Sequence, residues 1–491
     1  MFDALLCRPW EDFRARIAAH AANLTSPRRF LMNRHTVFAL ASLAFAIHKL
    51  NAQNMPGMDM STSKSAQIVS AEISNDPPPM MQPSTLTAAI IQHTSSGTSI
   101  EPASIPMAML MRQHSGWLFM LHGTAFLADT QQHAYSSRGK ARLFSTNMLM
   151  PMAQRHIGPG TLTLRTMVSL EPSTVTAHLY PELFQQGETA YGKPIRDGQH
   201  PHDFVMELSA LYDLPLGEHT LLSLYVAPVG DPAIGPTAYP HRVSAGEDPI
   251  AALGHHQQDS THIAFNVLTA GITYKSVRLE ASGFHGAEPT EARWHLQPSA
   301  NGVTPDSISG RITFAPTAAV AAQYSLAHIT SPEPVNLSVN QFRQTASIMY
   351  NRPVGAHTDT TSMPGMTMST PATGNWATTL VWGQTKLLPE NQTENSYLLE
   401  SLLTLHRNSF YTRIEAADRT SELLTPAPAN EIPVGHVQAY TLGYDRAYRI
   451  APHLEAAPGI QFTQYRTPDA LTPTYGRTPF SVVTFIRLRL K

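Results

Sequence analysis

Methionine is the residue type whose spacing points to chemistry. Twelve of the twenty methionines stand in four triplets: Met55/Met58/Met60, Met107/Met109/Met111, Met148/Met150/Met152 and Met363/Met366/Met368. The first and last lie in a near repeat, MPGMDMS and MPGMTMS. Thioether sulfur is a soft ligand that selects Cu(I) over harder metals. Spacings of two and three let one short segment turn several sulfurs toward one ion. His114 and His156 follow two of the triplets and could add imidazole. Methionine is also a flexible gap-filler. That bland account suits Met148, Met150 and Met152, which could simply be strand residues facing lipid. It suits the segments at 55–60 and 363–368 poorly, because neither has a core to fill.

Histidine forms the second group. Asp197-Gly198-Gln199-His200-Pro201-His202-Asp203 is one cluster, and His255-His256 with Asp259 and His262 is another. His200 and His202 share a face if extended, so the two segments could build one imidazole and carboxylate site for Zn(II) or Cu(II). The competing account is a hydrogen-bonded network that pins long loops. No GxSxG elbow, glycine-rich phosphate loop or HExxH stands in the chain, and no carboxylate pair is singled out by spacing.

Composition narrows what could position these groups. The chain has 491 residues, 14% charged and a formal net charge of −2. Without a basic excess, nucleic acid is excluded as a partner. Hydrophobic residues at 42% and aromatics at 8% argue against wholesale disorder. The single cysteine, Cys7, lies near the N-terminus, so a processed chain has neither disulfides nor thiolate ligands.

The apolar run Val37–Ile47, with Arg28, Arg29 and Arg34 ahead of it, is too short to span a membrane and suits a signal peptide. Residues 1–52 are therefore expected to be a signal region, with Met32 as the true start and cleavage after Ala52. Residues 53–113 are rich in Ser, Thr, Pro and Met without a usable period. They are expected to be a disordered periplasmic tail.

From residue 114 to 491 the expectation is an all-β transmembrane antiparallel barrel. Segments of about ten residues alternate in polarity. In 161–170, Leu162, Leu164, Val168 and Leu170 share one face, and Thr163, Arg165 and Ser169 the other. The predicted strands are 117–127, 142–151, 161–170, 203–213, 219–228, 263–274, 277–286, 309–315, 319–329 and 341–351. They continue with 374–385, 395–407, 409–418, 434–446, 452–465 and 480–490. That is about sixteen, the even number bacterial barrels require. Long and short connections alternate, as external loops and periplasmic turns do. Only the link Arg352–Thr373 is an overlong turn. On this topology both histidine groups stand at the external end, and the methionine triplets gather at the periplasmic end.

Residues 117–491 resemble porin-like bacterial outer-membrane barrels. The methionine-rich stretches resemble those of copper-resistance B-type outer-membrane proteins. These resemblances imply a barrel in outer-membrane lipid that handles or passes a small solute or soft metal ion, copper by preference. Periplasmic metal carriers are its implied partners. An envelope metalloenzyme using the histidine loops and a purely structural barrel are the alternatives from other classes.

Overall fold

The computed structural model describes residues 83–491 apart from 84, 93–94, 176–178, 191, 260–263, 297–303, 333–337, 356, 360–367, 371 and 425–430. The signal region, most of the tail, Met55, Met58, Met60, Met363, Met366 and His262 therefore lie outside the described residues.

Sixteen antiparallel strands form one closed sheet. They are β1 (Trp117–His133), β2 (Ala141–Ile157), β3 (Gly160–Val168), β4 (Val205–Pro215), β5 (Thr220–Gly230), β6 (Ala264–Tyr274), β7 (Val277–His285) and β8 (Ser307–Thr317). β9 (Val320–Ile329), β10 (Asn340–Val354), β11 (Gly374–Leu388), β12 (Thr393–Leu405), β13 (Asn408–Thr420), β14 (Pro433–Arg446), β15 (Leu454–Arg466) and β16 (Phe480–Leu490) complete it. Each strand pairs with its sequence neighbours, and β16 closes the circle on β1 through Thr124↔Arg489, Ala128↔Phe485 and His133↔Phe480. Closure leaves no strand edge unpaired, the condition for a sheet to cross lipid.

Alternation decides which residues meet lipid. Leu222, Leu224 and Val226 of β5, Ile308, Ile312 and Phe314 of β8, and Trp376 and Leu380 of β11 are exposed apolar side chains on the outer face. At the end of the short turns, Tyr350 lies against Trp376 with ring centroids 5.5 Å apart, and Phe410 against Tyr444 at 5.1 Å. This is the aromatic girdle of a lipid boundary.

The inner face mixes charged and hydroxyl side chains with apolar ones such as Phe126, Phe144, Leu402 and Phe485, and is almost free of water contact. Arg278 and Arg311 flank Glu280 at 3.1 and 2.9 Å, and Arg487 reaches Asp445 at 3.3 Å, all nearly fully buried. Charges lining an open aqueous pore would be exposed, so the chain itself fills this lumen. Two segments do so. The loop segment 231–259 folds inward: Arg413 of β13 donates to the carbonyls of Ile250 and Ala251, and Arg419 to that of Leu253.

The second segment was expected to belong to the disordered tail. From Leu86 onward that expectation is corrected. A short helix, Leu86–Ile91, is capped by the Thr85 side chain, and Thr87 donates to the carbonyl of Glu218 in a turn. Ser95 and Gly97 carbonyls then accept from Arg165 of β3, and Thr98 accepts from Arg311 of β8. Ser104 bonds to Asn351 of β10 and to the carbonyl of Ala318. The chain thus runs from the β3 side of the lumen to the β10 side. It emerges to form a short strand, Leu110–His114, which pairs with the start of β1 across Ser115-Gly116. Both turn residues have positive φ, at 50° and 79°, the type I′ pattern that matches hairpin twist.

The one overlong turn, between β10 and β11, carries a small hairpin of His357–Asp359 with Met368–Thr370. Met368 is thus placed in a strand.

Candidate functional site

The barrel topology draws one methionine triplet and two members of another into one patch on its inner wall. Inward positions alternate along each strand, and in β2 they include Met148, Met150 and Met152. These residues face the lumen, which corrects the lipid-facing alternative. The β1–β2 register sets Met120 directly opposite Met152 and His122 opposite Met150. The short strand sets Met111 opposite Met120. Met167 of β3 and Met206 of β4 complete the buried cluster, and Met109 and Met111 pack against it. Directly opposed side chains have Cβ atoms about 4.5–5.5 Å apart, a separation that flexible thioethers can close around one ion.

Imidazole reaches the patch from the inward loop. His241 Nε2 lies 3.0 Å from the Met167 sulfur, and because a thioether only accepts, the ring nitrogen donates. The rings of His241 and His122 are 5.8 Å apart. Charged groups adjoin it as neutralised pairs: Arg165, directly opposite Met152, lies 3.4 Å from Glu207, directly opposite Met167, and Arg489 lies 3.0 Å from Glu247. Between these neutralised pairs the lining is thioether and imidazole. Such a donor set suits a soft monovalent cation and disfavours Mg(II) or Ca(II), which need oxygen.

Sequence reasoning missed Met120, Met167, Met206, His122 and His241. None stands in a motif, and only closure of the barrel brings them beside the triplets. Met107 is half-buried outside the packed cluster. His114 ends the short strand exposed, opposite Trp117, and His156 shares a 3.0 Å hydrogen bond with Thr161 beside a turn.

The histidine loops meet where the connections are long, but beside the methionine patch and not opposite it as expected: Glu171, which holds His202, also accepts from the backbone N–H of Asn147, next to Met148. Tyr239 stands between the two groups, 6.2 Å from the His202 ring and 5.7 Å from the His255 ring. His255 in turn lies 4.0 Å from His256. The groups are thus close, as the topology predicted. Their donors are engaged in holding the loops. The Glu171 carboxylate accepts from both the backbone and Nδ1 of His202 at 2.9 Å. His200 Nδ1 lies 2.9 Å from the Pro201 carbonyl, and His255 Nδ1 lies 2.7 Å from the Ala252 carbonyl. Asp259 is paired with Arg242 at 3.0 Å. Among the described residues, no group of three or more His, Cys, Asp or Glu side chains is placed to hold a metal ion. Burial raises the Asp203 carboxyl to about 6, against the opposing pull of Arg293 at 3.2 Å.

A closed sixteen-strand barrel with an apolar outer band, an aromatic girdle and buried charges on its inner wall defines a bacterial outer-membrane β-barrel protein. Among solved structures it is similar to the anion-selective porin from Comamonas acidovorans, with a TM-score of 0.44 and 11% identity over 76% of this chain and 99% of that one. It is also similar to Salmonella typhi OmpF in complex with daunomycin (0.45, 8%, 77% and 100%) and to the outer-membrane channel DcaP of Acinetobacter baumannii (0.40, 10%, 78% and 100%). Likeness at that level carries no information on what this chain binds. No family model matches the sequence, and no curated protein matches it.

Proposed function

We propose that this outer-membrane barrel handles a small solute and that the solute is a soft metal ion, copper(I). The carrying observation is the convergence of eight methionines, in and just before the short strand and on β1 to β4, on one sector of the inner wall beside His122 and His241. Elsewhere the inner wall buries aromatic and branched aliphatic side chains such as Phe126, Phe144, Leu402 and Phe485, whereas in this sector the apolar positions are almost all methionine. By the loop rule for bacterial barrels, the end with short turns is periplasmic. The patch runs from Met120, near the short-turn end of β1, to Met167 and Met206, at the loop ends of β3 and β4, and the methionine-rich stretch at 53–82 precedes it in sequence.

The test is competitive titration of the detergent-solubilised protein with Cu(I) against a chelator of known affinity. Replacing Met148, Met150 and Met152 together by leucine keeps volume and removes sulfur. Cu(I) affinity should fall by at least roughly tenfold, about 1.4 kcal/mol, while the heat-modifiable gel mobility of an assembled barrel stays. Unchanged affinity in an assembled variant removes copper from the reading.

A further inference from the structure

The methionine wall is also the place where both luminal occupants end. The inner strap, Leu86–Ile91 followed by Ser95–Ile105, continues directly into Met109 and Met111, which pack on the wall. The inward loop contributes His241 to the same wall, at Met167. Strap and loop also touch each other. The Ser99 and Thr237 hydroxyls are 3.0 Å apart, and Gly97 packs on Asp231 so closely that an added Cβ would fall 2.7 Å from the Asp231 Cβ.

Resting on the soft-ion reading above, we infer that a soft monovalent ion at this wall is a latch. It ties the strap, through Met109 and Met111, and the loop, through His241, to the barrel strands carrying Met120, Met152 and Met167. Without the ion, the strap is held in the lumen by hydrogen bonds to Arg165, Arg311 and Asn351. With it, release of either occupant also requires breaking metal–ligand bonds. An ion that binds the seated form more tightly than the released form shifts the population toward the seated form. The metal thereby sets how readily the filled lumen opens.

Hydrogen exchange of the full chain in detergent, with and without Ag(I) as a redox-stable soft ion, tests this. Bound silver is quantified on the same samples. Ag(I) should slow exchange in 95–105 and in 231–245 by roughly tenfold or more. Met109→Leu with Met111→Leu should abolish the slowing in the strap but not in the loop, and His241→Gln the reverse. Gly97→Val should release the strap, because φ there is +60° and Asp231 fills the space. Ser104→Ala, which removes only hydroxyl bonds to Asn351, should release it more weakly and serves if Gly97→Val fails to assemble. Silver bound to the wild type with exchange unchanged in both segments overturns the latch and leaves the copper reading standing. Slowing that survives in the strap of the double methionine variant overturns it too. No silver bound to the wild type sinks the copper reading itself.

Discussion

The Arg242 guanidinium is almost wholly buried and serves three partners. It pairs with Glu400 of β12, lies 3.0 Å from Asp259 and donates to the Thr237 carbonyl at 2.9 Å. A buried pair stripped of its cation leaves carboxylates without water or charge to balance them. Arg242→Ala is expected to lower the unfolding free energy of the barrel by about 3–5 kcal/mol and to expose the loop segment 231–259 to protease. Arg242→Lys should recover only part, because an ammonium lacks the fork that spans two carboxylates. Urea unfolding of the three proteins checks this, and equal midpoints would mean that other contacts carry the loop. At this scale the candidate site was half legible. Triplets such as Met148/Met150/Met152 stand out in the chain and suggest soft-metal chemistry. Met167 and His241 are 74 residues apart in sequence and acquire meaning only when β3 and the inward loop are in place. The histidines were legible as a group at one end, but a sequence does not reveal that Glu171 and Arg242 already occupy His202 and Asp259.

The strap is the element with a built-in dependence on acidity. Burial raises the Glu101 carboxyl from 4.5 to about 8, against the pull of the neighbouring Arg242, and one of its carboxyl oxygens is buried without a hydrogen-bond partner among the described residues. Burial, and then the Glu207 carboxylate, raise Asp231 from 3.8 to about 7, against Ser96, Arg165 and Arg311. Both groups hold protons more tightly with the strap seated than after its release into water. Seating therefore weakens as pH rises from about 4 to 8, and is unpenalised by these groups below that window. Exchange in 95–105, corrected for its intrinsic rate, should accelerate across that range. Glu101→Gln should flatten the response, and an unaltered profile would remove Glu101 from the account. The strap was illegible in sequence because it has no period. Its order comes from Arg165, Arg311 and Asn351 on distant strands. The sixteen barrel strands were legible, since each must alternate to face lipid and lumen at once. Their ends were less so: β1 was predicted to stop at 127 and runs to His133, where lipid no longer imposes a pattern.

For the whole molecule, the outer face determines how much of the barrel belongs in the bilayer. Leu380 sits at the middle of β11, exposed between Trp376 at the turn end and Leu388 at the loop end. Ile308 is also exposed, but lies one residue from the loop end of β8. Both are apolar and outward, so in water they would respond alike to a charge. In a bilayer they differ, because the cost of an arginine depends on depth: about 2–4 kcal/mol at the midplane, falling to about 0–1 kcal/mol near the interface. Leu380→Arg should therefore reduce the unfolding free energy in lipid vesicles by the larger amount, and Ile308→Arg by little. The snorkelling reach of arginine narrows the gap without reversing it. Denaturant titration of both variants refolded into the same vesicles supplies the comparison. Equal losses at the two positions would mean that the band of lipid contact is not centred where Leu380 lies. Equal and negligible losses would mean that the outer face is not in lipid at all.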